Sequence, residues 1–396
     1  MTDGAEQFDP LAEFEDEEPT NEETYAALRR SIARTAGFGL KFLECTPAIA
    51  RETIGQLRED LPQKKIAVLE LDEPIVQLFE RVVEFTAEDT PDVLFVLGLE
   101  RSLVEDISPG GSGGQGDYYQ EDRTPGILSH LNQNREKFRK TFGFCLVLVL
   151  PRFAKKYFVR RAADFVDWGS GVFEWRLDRD LVDWEAFQVL QSGEYDEYLQ
   201  MTEAEQREER IKLQTWLEES ENKNQRYKLL IRLGSLFHAS QKFDLAIESY
   251  NCALEIYPAS SEAWYCRGNA LSWLSQFDRA LRSYDRALEL DSSLGDAWYY
   301  RGNALSWLNQ YEVAIESYDR ATELNSNLVD AWYARGNVLG LLNRYDAAVE
   351  SYNRALELEP SFSDAWYYRD NILARLSRRD AEVKSCDRTL EFEVER

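Results

Sequence analysis

The chain has 396 residues, a net charge of −26, 44% hydrophobic and 13% aromatic residues. That is enough apolar material for two or three cores and excludes wholesale disorder. The acidity opposes nucleic-acid binding, because phosphate backbones need a local basic patch. Five separated cysteines without a C-x-x-C pair and two histidines leave little for a zinc site or a disulfide framework. No cofactor or metal is expected, and the thiols suit a reducing, cytoplasmic compartment.

In chain order, Met1 to Glu23 carries ten acidic residues and no basic one, the opposite of a secretory signal or transit peptide. Residues 1–24 read as an acidic disordered tail. From 25 to 175 the pattern is α/β. Leu40–Cys45, Ile66–Leu71, Val93–Gly98 and Phe144–Leu150 read as strands, and Pro47–Leu61, Pro74–Phe85 and Gly126–Thr141 as helices. Nearly all-apolar strands alternating with helices predict a parallel sheet covered on both faces. The longest apolar run, Cys145–Leu150, is too short to cross a bilayer, so no membrane partner is expected.

The third strand and its tip, Val-Leu-Phe-Val-Leu-Gly-Leu-Glu100, resemble a P-loop NTPase core of the signalling type, in which such a carboxylate handles Mg²⁺ and water. The phosphate-binding element is missing. The first strand runs Phe42-Leu-Glu-Cys-Thr-Pro-Ala-Ile-Ala into its helix, and no G-x-x-x-x-G-K-[ST] occurs anywhere. Thr46 and Pro47 instead make an ordinary helix start. The glycines of 109–116 lack a following Lys or Thr and read as a flexible insertion. The resemblance is therefore to a degenerate, nucleotide-independent domain. Glu100 and Arg135, with Asn132 and Glu136, are the residues to test for nucleotide binding by a non-standard site. The basic set Arg152, Lys155, Lys156, Arg160 and Arg161 has helical spacing and reads as a solvated face. The aromatic stretch 161–175 (Phe165, Trp168, Phe173, Trp175) reads as the closing core of this domain. Residues 176–222 follow as a helical linker, with Glu203–Glu219 packing on what comes next as an N-terminal cap.

The remainder is periodic. Gly234, Gly268, Gly302 and Gly336 stand 34 residues apart, with Asp370 in the fifth place. Trp264/298/332/366, Ala246/280/314/348, Tyr250/284/318/352 and Ala253/287/321/355 keep the same period. A fixed period of this length marks a stacked repeat, in which small positions admit a close helix and large ones fill the gap to the neighbour. These residues resemble tetratricopeptide repeats, in an all-α superhelix over 223–396 with repeats 227–260, 261–294, 295–328, 329–362 and 363–396. Bacterial proteins that join a degenerate NTPase-like domain to such repeats share this organisation. In the fifth repeat Glu382, Cys386 and Thr389 replace small or aromatic residues, which reads as a self-capping polar second helix.

The resemblance implies that ligand contacts come from the first helix of each repeat. It points to Tyr265, Tyr299, Tyr333 and Tyr367, to Asn269, Asn303, Asn337 and Asn371, and to Trp273 and Trp307. Asparagine amides pair with an extended peptide backbone, and flanking aromatics bury side chains at low entropic cost. Some of the asparagines are expected to support the helices instead. No groove lysine or arginine is positioned to clamp a terminal carboxylate, so a neutral or basic segment is expected. Arg267, Arg301, Arg335 and Arg369 occupy a usually apolar site, with their guanidiniums expected to reach the acids Glu262, Asp296, Asp330 and Asp364. With no nucleophile–His pair, metal cluster or cofactor fingerprint, the expected function is a non-catalytic adaptor for a protein or peptide. The alternative is a nucleotide-responsive signalling protein.

Overall fold

The computed structural model describes residues 19–104, 107, 126–191 and 195–394. The acidic residues 1–18 and the glycines of 109–116 lie outside them. The described chain falls into two compact units, one holding 19–107, 126–191 and 202–221, the other 195–201 and 222–394.

The first unit is built from α1 (Asn21–Arg34), β1 (Gly39–Glu44), α2 (Pro47–Asp60), β2 (Ile66–Glu70), α3 (Leu78–Thr86), β3 (Val93–Leu97), α4 (Gly126–Thr141), β4 (Cys145–Leu150), α5 (Arg152–Arg161), α6 (Ala163–Val166) and β5 (Val172–Glu174). All strand pairings are parallel, in the order β2-β3-β4-β1-β5. Alternate residues of the four longer strands β1 to β4 face opposite cores, as the two-residue period requires. Leu43, Phe95, Val147 and Val149 meet α1 and α2, while Phe42, Leu94, Leu146 and Leu148 meet α3, α4 and α5. The helix α1 begins at Asn21 with a Thr20/Glu23 capping box, so residues 21–24 of the segment read as acidic tail are helical. The third strand stops at Leu97. Gly98, at φ 87°, turns it into a 3₁₀ segment, Leu99–Ser102, that carries Glu100. The aromatic stretch after α5 is partly a short edge strand, β5, with Phe165 buried at 1% exposure.

The segment 176–222 departs from its reading as linker and cap. It forms α7 (Arg179–Gln191), α8 (Tyr195–Gln200) and α9 (Glu203–Glu219). The expected cap, α9, belongs to the α/β unit. Its Glu208 pairs with Arg101 at 2.6 Å, Gln214 donates to the Ile107 carbonyl at 3.3 Å, and Glu218 and Glu219 pair with Lys156 and Arg152. Ile211 packs against the core below. The charged, weakly amphipathic helix is thus matched to the basic face of α5, which is not a merely solvated face.

The second unit holds α10 (Lys223–Ala239), α11 (Phe243–Ile256), α12 (Ser261–Trp273), α13 (Phe277–Leu290), α14 (Gly295–Trp307), α15 (Tyr311–Leu324), α16 (Val329–Leu341), α17 (Tyr345–Leu358) and α18 (Ser363–Val394). The first eight pair as four hairpins. Each hairpin turns on one left-handed residue, Gln241, Ser275, Asn309 or Asn343, with φ of 58° or 59°. Each is closed by one glycine–tyrosine contact. A Cβ placed on Gly234, Gly268, Gly302 or Gly336 would meet the Tyr250, Tyr284, Tyr318 or Tyr352 ring at 2.5–2.8 Å. The glycine thus lets a whole ring fill the space between the two helices. Each indole Nε1 of Trp264, Trp298, Trp332 and Trp366 donates to a carbonyl in the preceding inter-repeat turn at 3.0–3.1 Å.

The fifth repeat is not a hairpin. The helix α18 runs unbroken from Ser363 to Val394. Asp370 and Cys386 stand where the glycine and tyrosine of the closing contact belong, and Arg379 replaces Phe243, Phe277, Tyr311 and Tyr345 at the start of the second helix. Without the ring and its slot, nothing compensates the left-handed turn residue, and the helix continues.

Candidate functional site

The first helices of the repeats, α10, α12, α14, α16 and the start of α18, carry most of the residues singled out from the sequence. Three rows run along them. The arginine row is structural. Arg301 donates from Nε to Asp285 on the preceding repeat at 2.7 Å, and from Nη1 to Ser317 on its own repeat at 2.6 Å. Arg335 repeats this with Asp319 and Ser351 at 2.6 and 2.7 Å, and Arg267 with Asn251 and Ser283 at 2.7 Å each. Each guanidinium also lies over the tryptophan three residues before it, 5.3–5.9 Å from the ring centre. The arginines therefore stitch second helices of adjacent repeats. They do not reach for Glu262, Asp296 and Asp330 as the sequence reading expected, because those acids sit exposed at the helix starts. Sequence could have found the true partners at a spacing of 16 on either side.

The asparagine row is already engaged. Asn269, Asn303 and Asn337 each accept at Oδ1 from the buried tyrosine hydroxyl of the second helix, Tyr284, Tyr318 or Tyr352, at 2.8 Å. Their amides lie against Tyr265, Tyr299 and Tyr333, whose hydroxyls are pushed up by burial and eased back by that amide. The second, third and fourth repeats thus each hold a tyrosine–asparagine–tyrosine relay, half-buried at the asparagine. Asn371 and Tyr367 in α18 are exposed, Tyr367 at 65%; the fifth position has lost its buried tyrosine.

The third row faces outward. Trp273 and Trp307 are 67% and 70% exposed, and Leu341 continues them at 63%. Each indole stacks flat on an aromatic of the preceding repeat, Trp273 on Phe243 at 5.6 Å and 1°, and Trp307 on Phe277 at 5.5 Å and 3°. Two indoles in adjacent repeats, left uncovered and held by stacking, with Leu341 in line after them, form a preset contact surface.

In the α/β unit, the residues considered for a nucleotide have separate partners. Arg135 on α4 pairs with Asp164 at 3.3 Å and lies over Trp168, 5.9 Å from its centre. Glu100 is 2% exposed; burial pushes its carboxyl up, against the Arg101 guanidinium. Asn132 donates to the Arg161 carbonyl at 3.5 Å. Ligands of open α/β sheets sit outside the carboxyl ends of the strands. Here Glu44, at the end of β1, is held by Lys155 at 2.7 Å, and α9 is fixed to the segments that follow β3 and β4. Thr46 caps α2 through the Ile49 amide at 3.5 Å, leaving no phosphate loop there. Sequence reasoning missed Lys41, 2% exposed in β1, whose ammonium donates to Ser31 at 2.7 Å and Ser170 at 3.2 Å and is depressed by burial. Among the described residues no group of His, Cys, Asp and Glu could hold a metal ion, and no helix is long and apolar enough to cross a membrane.

The second unit is a stack of helical hairpins of one period. Residues 261–294 and 329–362 match one family model described as a tetratricopeptide repeat, 227–260 match a second of the same description, and 308–343 match one described as a TPR repeat. This region of the chain is therefore a tetratricopeptide-repeat array, and the matched residues end where the hairpins end. Similar solved structures include a MamA protein, 25% identical over 42% of this chain and 92% of that one, with a TM-score of 0.38. They also include YrrB, described as a TPR protein with an unusual peptide-binding site, at 26% identity, 40% and 82% coverage and a TM-score of 0.36. MamA from Desulfovibrio magneticus RS-1 is 20% identical over 47% of this chain and 97% of that one, with a TM-score of 0.39. No curated protein matches the chain.

Proposed function

We propose that this protein is a non-catalytic scaffold whose repeat array seats an extended peptide segment along its first helices. The observation that carries the reading is the exposed line Trp273, Trp307 and Leu341. A monomer gains nothing by leaving stacked indoles in water, whereas a partner gains large apolar contact with little entropy to lose. Tyr265, Tyr299 and Tyr333, with the amides of Asn269, Asn303 and Asn337, form the polar border; Tyr367 and Asn371 extend it into α18. Because the asparagine carbonyls are already bonded, they position the tyrosines more than they read a backbone. The exposed acids Asp296, Asp330 and Asp364 favour a neutral or basic segment over an acidic one.

The α/β unit is assigned a binding or organising role without nucleotide. Supporting this are the plain helix start at Thr46, the pairing of Glu44 with Lys155, and α9 lying at the strand ends. The test uses a displayed peptide library selected on the intact protein and measured against Trp273→Ala/Trp307→Ala. Selected peptides should lose at least about tenfold in affinity, the equivalent of one anchor residue at roughly 1.4 kcal/mol. Equal binding to both proteins would remove the array face from the function.

A further inference from the structure

The short helix α8, Tyr195–Gln200, groups with the repeats and not with the α/β unit on either side of it in sequence. It lies against α10, the first helix of the first repeat. Tyr198 is its single fully buried side chain, at 0% exposure, and its hydroxyl accepts from Arg232 at 3.5 Å. The Tyr195 hydroxyl meets Nδ1 of His238 at 2.8 Å, with the rings 5.5 Å apart, and His238 in turn lies edge-on to Trp273 at 6.4 Å. Burial of this ring against the repeat pushes the Tyr195 hydroxyl up. The segment therefore sits on the same helix faces that carry the groove residues. It is held as a ligand is held, by two rings, while Tyr195 and Leu199 stay 40% and 55% exposed.

The charge of this subsite differs from the rest. Where later repeats place Glu262, Asp296, Asp330 and Asp364, the first places Lys228, and it adds Arg232 one turn on. The segment brings Asp196 and Glu197. The first repeat thus carries basic residues where later repeats carry acids, and the acidic segment complements it in charge, whereas the later repeats would oppose it.

We infer that the first repeat is a recognition subsite for an acidic Tyr-x-x-Tyr-Leu turn, filled in this chain by residues 195–199 and open to exchange with a partner segment of the same chemistry. The inference deepens the peptide-scaffold reading and rests on it. Being part of the same chain, the internal segment competes at an effective concentration on the order of 1 mM, so an added peptide must displace it.

The probe is a fluorescent, end-capped peptide of residues 192–202, titrated into three forms of the full chain. Tyr195→Ala/Tyr198→Ala, whose own segment no longer anchors, should bind it. The unaltered chain should bind at least about tenfold more weakly. Adding Arg232→Ala and His238→Ala to the vacated chain should abolish binding. No binding to a folded, vacated chain overturns the inference and makes α8 a fixed part of the array. If the vacated chain does not fold, hydrogen exchange on the unaltered protein decides. Amides of 197–200 exchanging at least tenfold faster than the slowest of α10 support an exchangeable segment, and equal rates overturn it. Library peptides that still require Trp307 while this peptide fails would sink the subsite alone and leave the scaffold reading intact.

Discussion

Replacing Gly302 by alanine tests the contact that closes each hairpin. The new methyl would sit 2.6, 2.8 and 2.9 Å from three atoms of the Tyr318 ring, where carbon contacts settle near 3.5–4.0 Å, so the ring must retreat by roughly 1 Å. It has no room, being 1% exposed, and its hydroxyl is fixed to Asn303 at 2.8 Å and Ser306 at 3.2 Å. Overpacking of this kind costs about 1–3 kcal/mol, and loosening the hydroxyl bond about 1 more. Against this, alanine improves a helix interior by about 1 kcal/mol. The net expectation is a loss of about 2 kcal/mol, or about thirtyfold in the local opening equilibrium. Hydrogen exchange of peptides from α14 and α15 reads that opening directly, without assuming that the two units unfold together. Gly55→Ala in α2 is the control, because a Cβ there meets nothing within 4 Å and should stabilise by about 0.5–1 kcal/mol. Adding Tyr318→Leu to Gly302→Ala should recover part of the loss, giving a favourable coupling in a double-mutant cycle. Unchanged or slower exchange in Gly302→Ala would refute the reasoning, since helix propensity would then outweigh the ring.

Glu100→Gln should raise the melting temperature of the α/β unit at neutral pH. Burial raises the carboxyl above its unfolded value, so its contribution is present below about pH 4.5 and lost as pH rises through the folded value. A gain that persists unchanged at pH 4 would contradict this. Arg301→Met removes charge-assisted bonds to Asp285 and Ser317 and should destabilise by about 1–3 kcal/mol, whereas Asp296→Ala at an exposed helix start should cost under about 1 kcal/mol; denaturant unfolding followed by tryptophan fluorescence ranks the two. Titration of Mg-ATP and Mg-GTP into the intact chain should give no saturating heat and no rise in melting point, where a true ligand at a hundredfold its dissociation constant adds about 2.7 kcal/mol. Asp370→Gly, Arg379→Tyr and Cys386→Tyr together should fold the long last helix into a fifth hairpin. Spin labels at residues 367 and 391 would then approach from about 36 Å, the length of 24 helical residues, to well under half that.

Much of this molecule was legible where one physical signal dominated. The apolar runs 66–71, 93–98 and 144–150 are strands within a residue, because segments covered on both faces carry no competing pattern. Repetition made the hairpins certain, since the glycine and tyrosine ladders recur together. What failed was allocation. Ile211, Leu213 and Leu217 show that α9 has an apolar face, but periodicity does not say which body covers it; the charges Glu208, Glu218 and Glu219 meeting Arg101, Lys156 and Arg152 decide that. The replacements at 370 and 386 were visible too, but 386 was read, with 382 and 389, as polarity. Their geometric consequence, a missing ring for a missing slot, needed the interior repeats for comparison. The asparagine row was read as both ligand-facing and helix-supporting, and the sequence alone does not show the two tyrosine hydroxyls that flank it.

The arginine stitch also gives the array a direction. Arg267, Arg301 and Arg335 each tie a second helix to the one before it, so loosening one hairpin weakens its neighbours and little else. At the last position the tie is slack. Arg369 reaches Asn353 only at 3.4 Å and turns instead to its neighbour Asp370 at 3.0 Å. A one-dimensional lattice with its weakest bond at one end melts from that end. Under force, heat or proteolysis, the array should unzip from residue 363 back toward the first repeat.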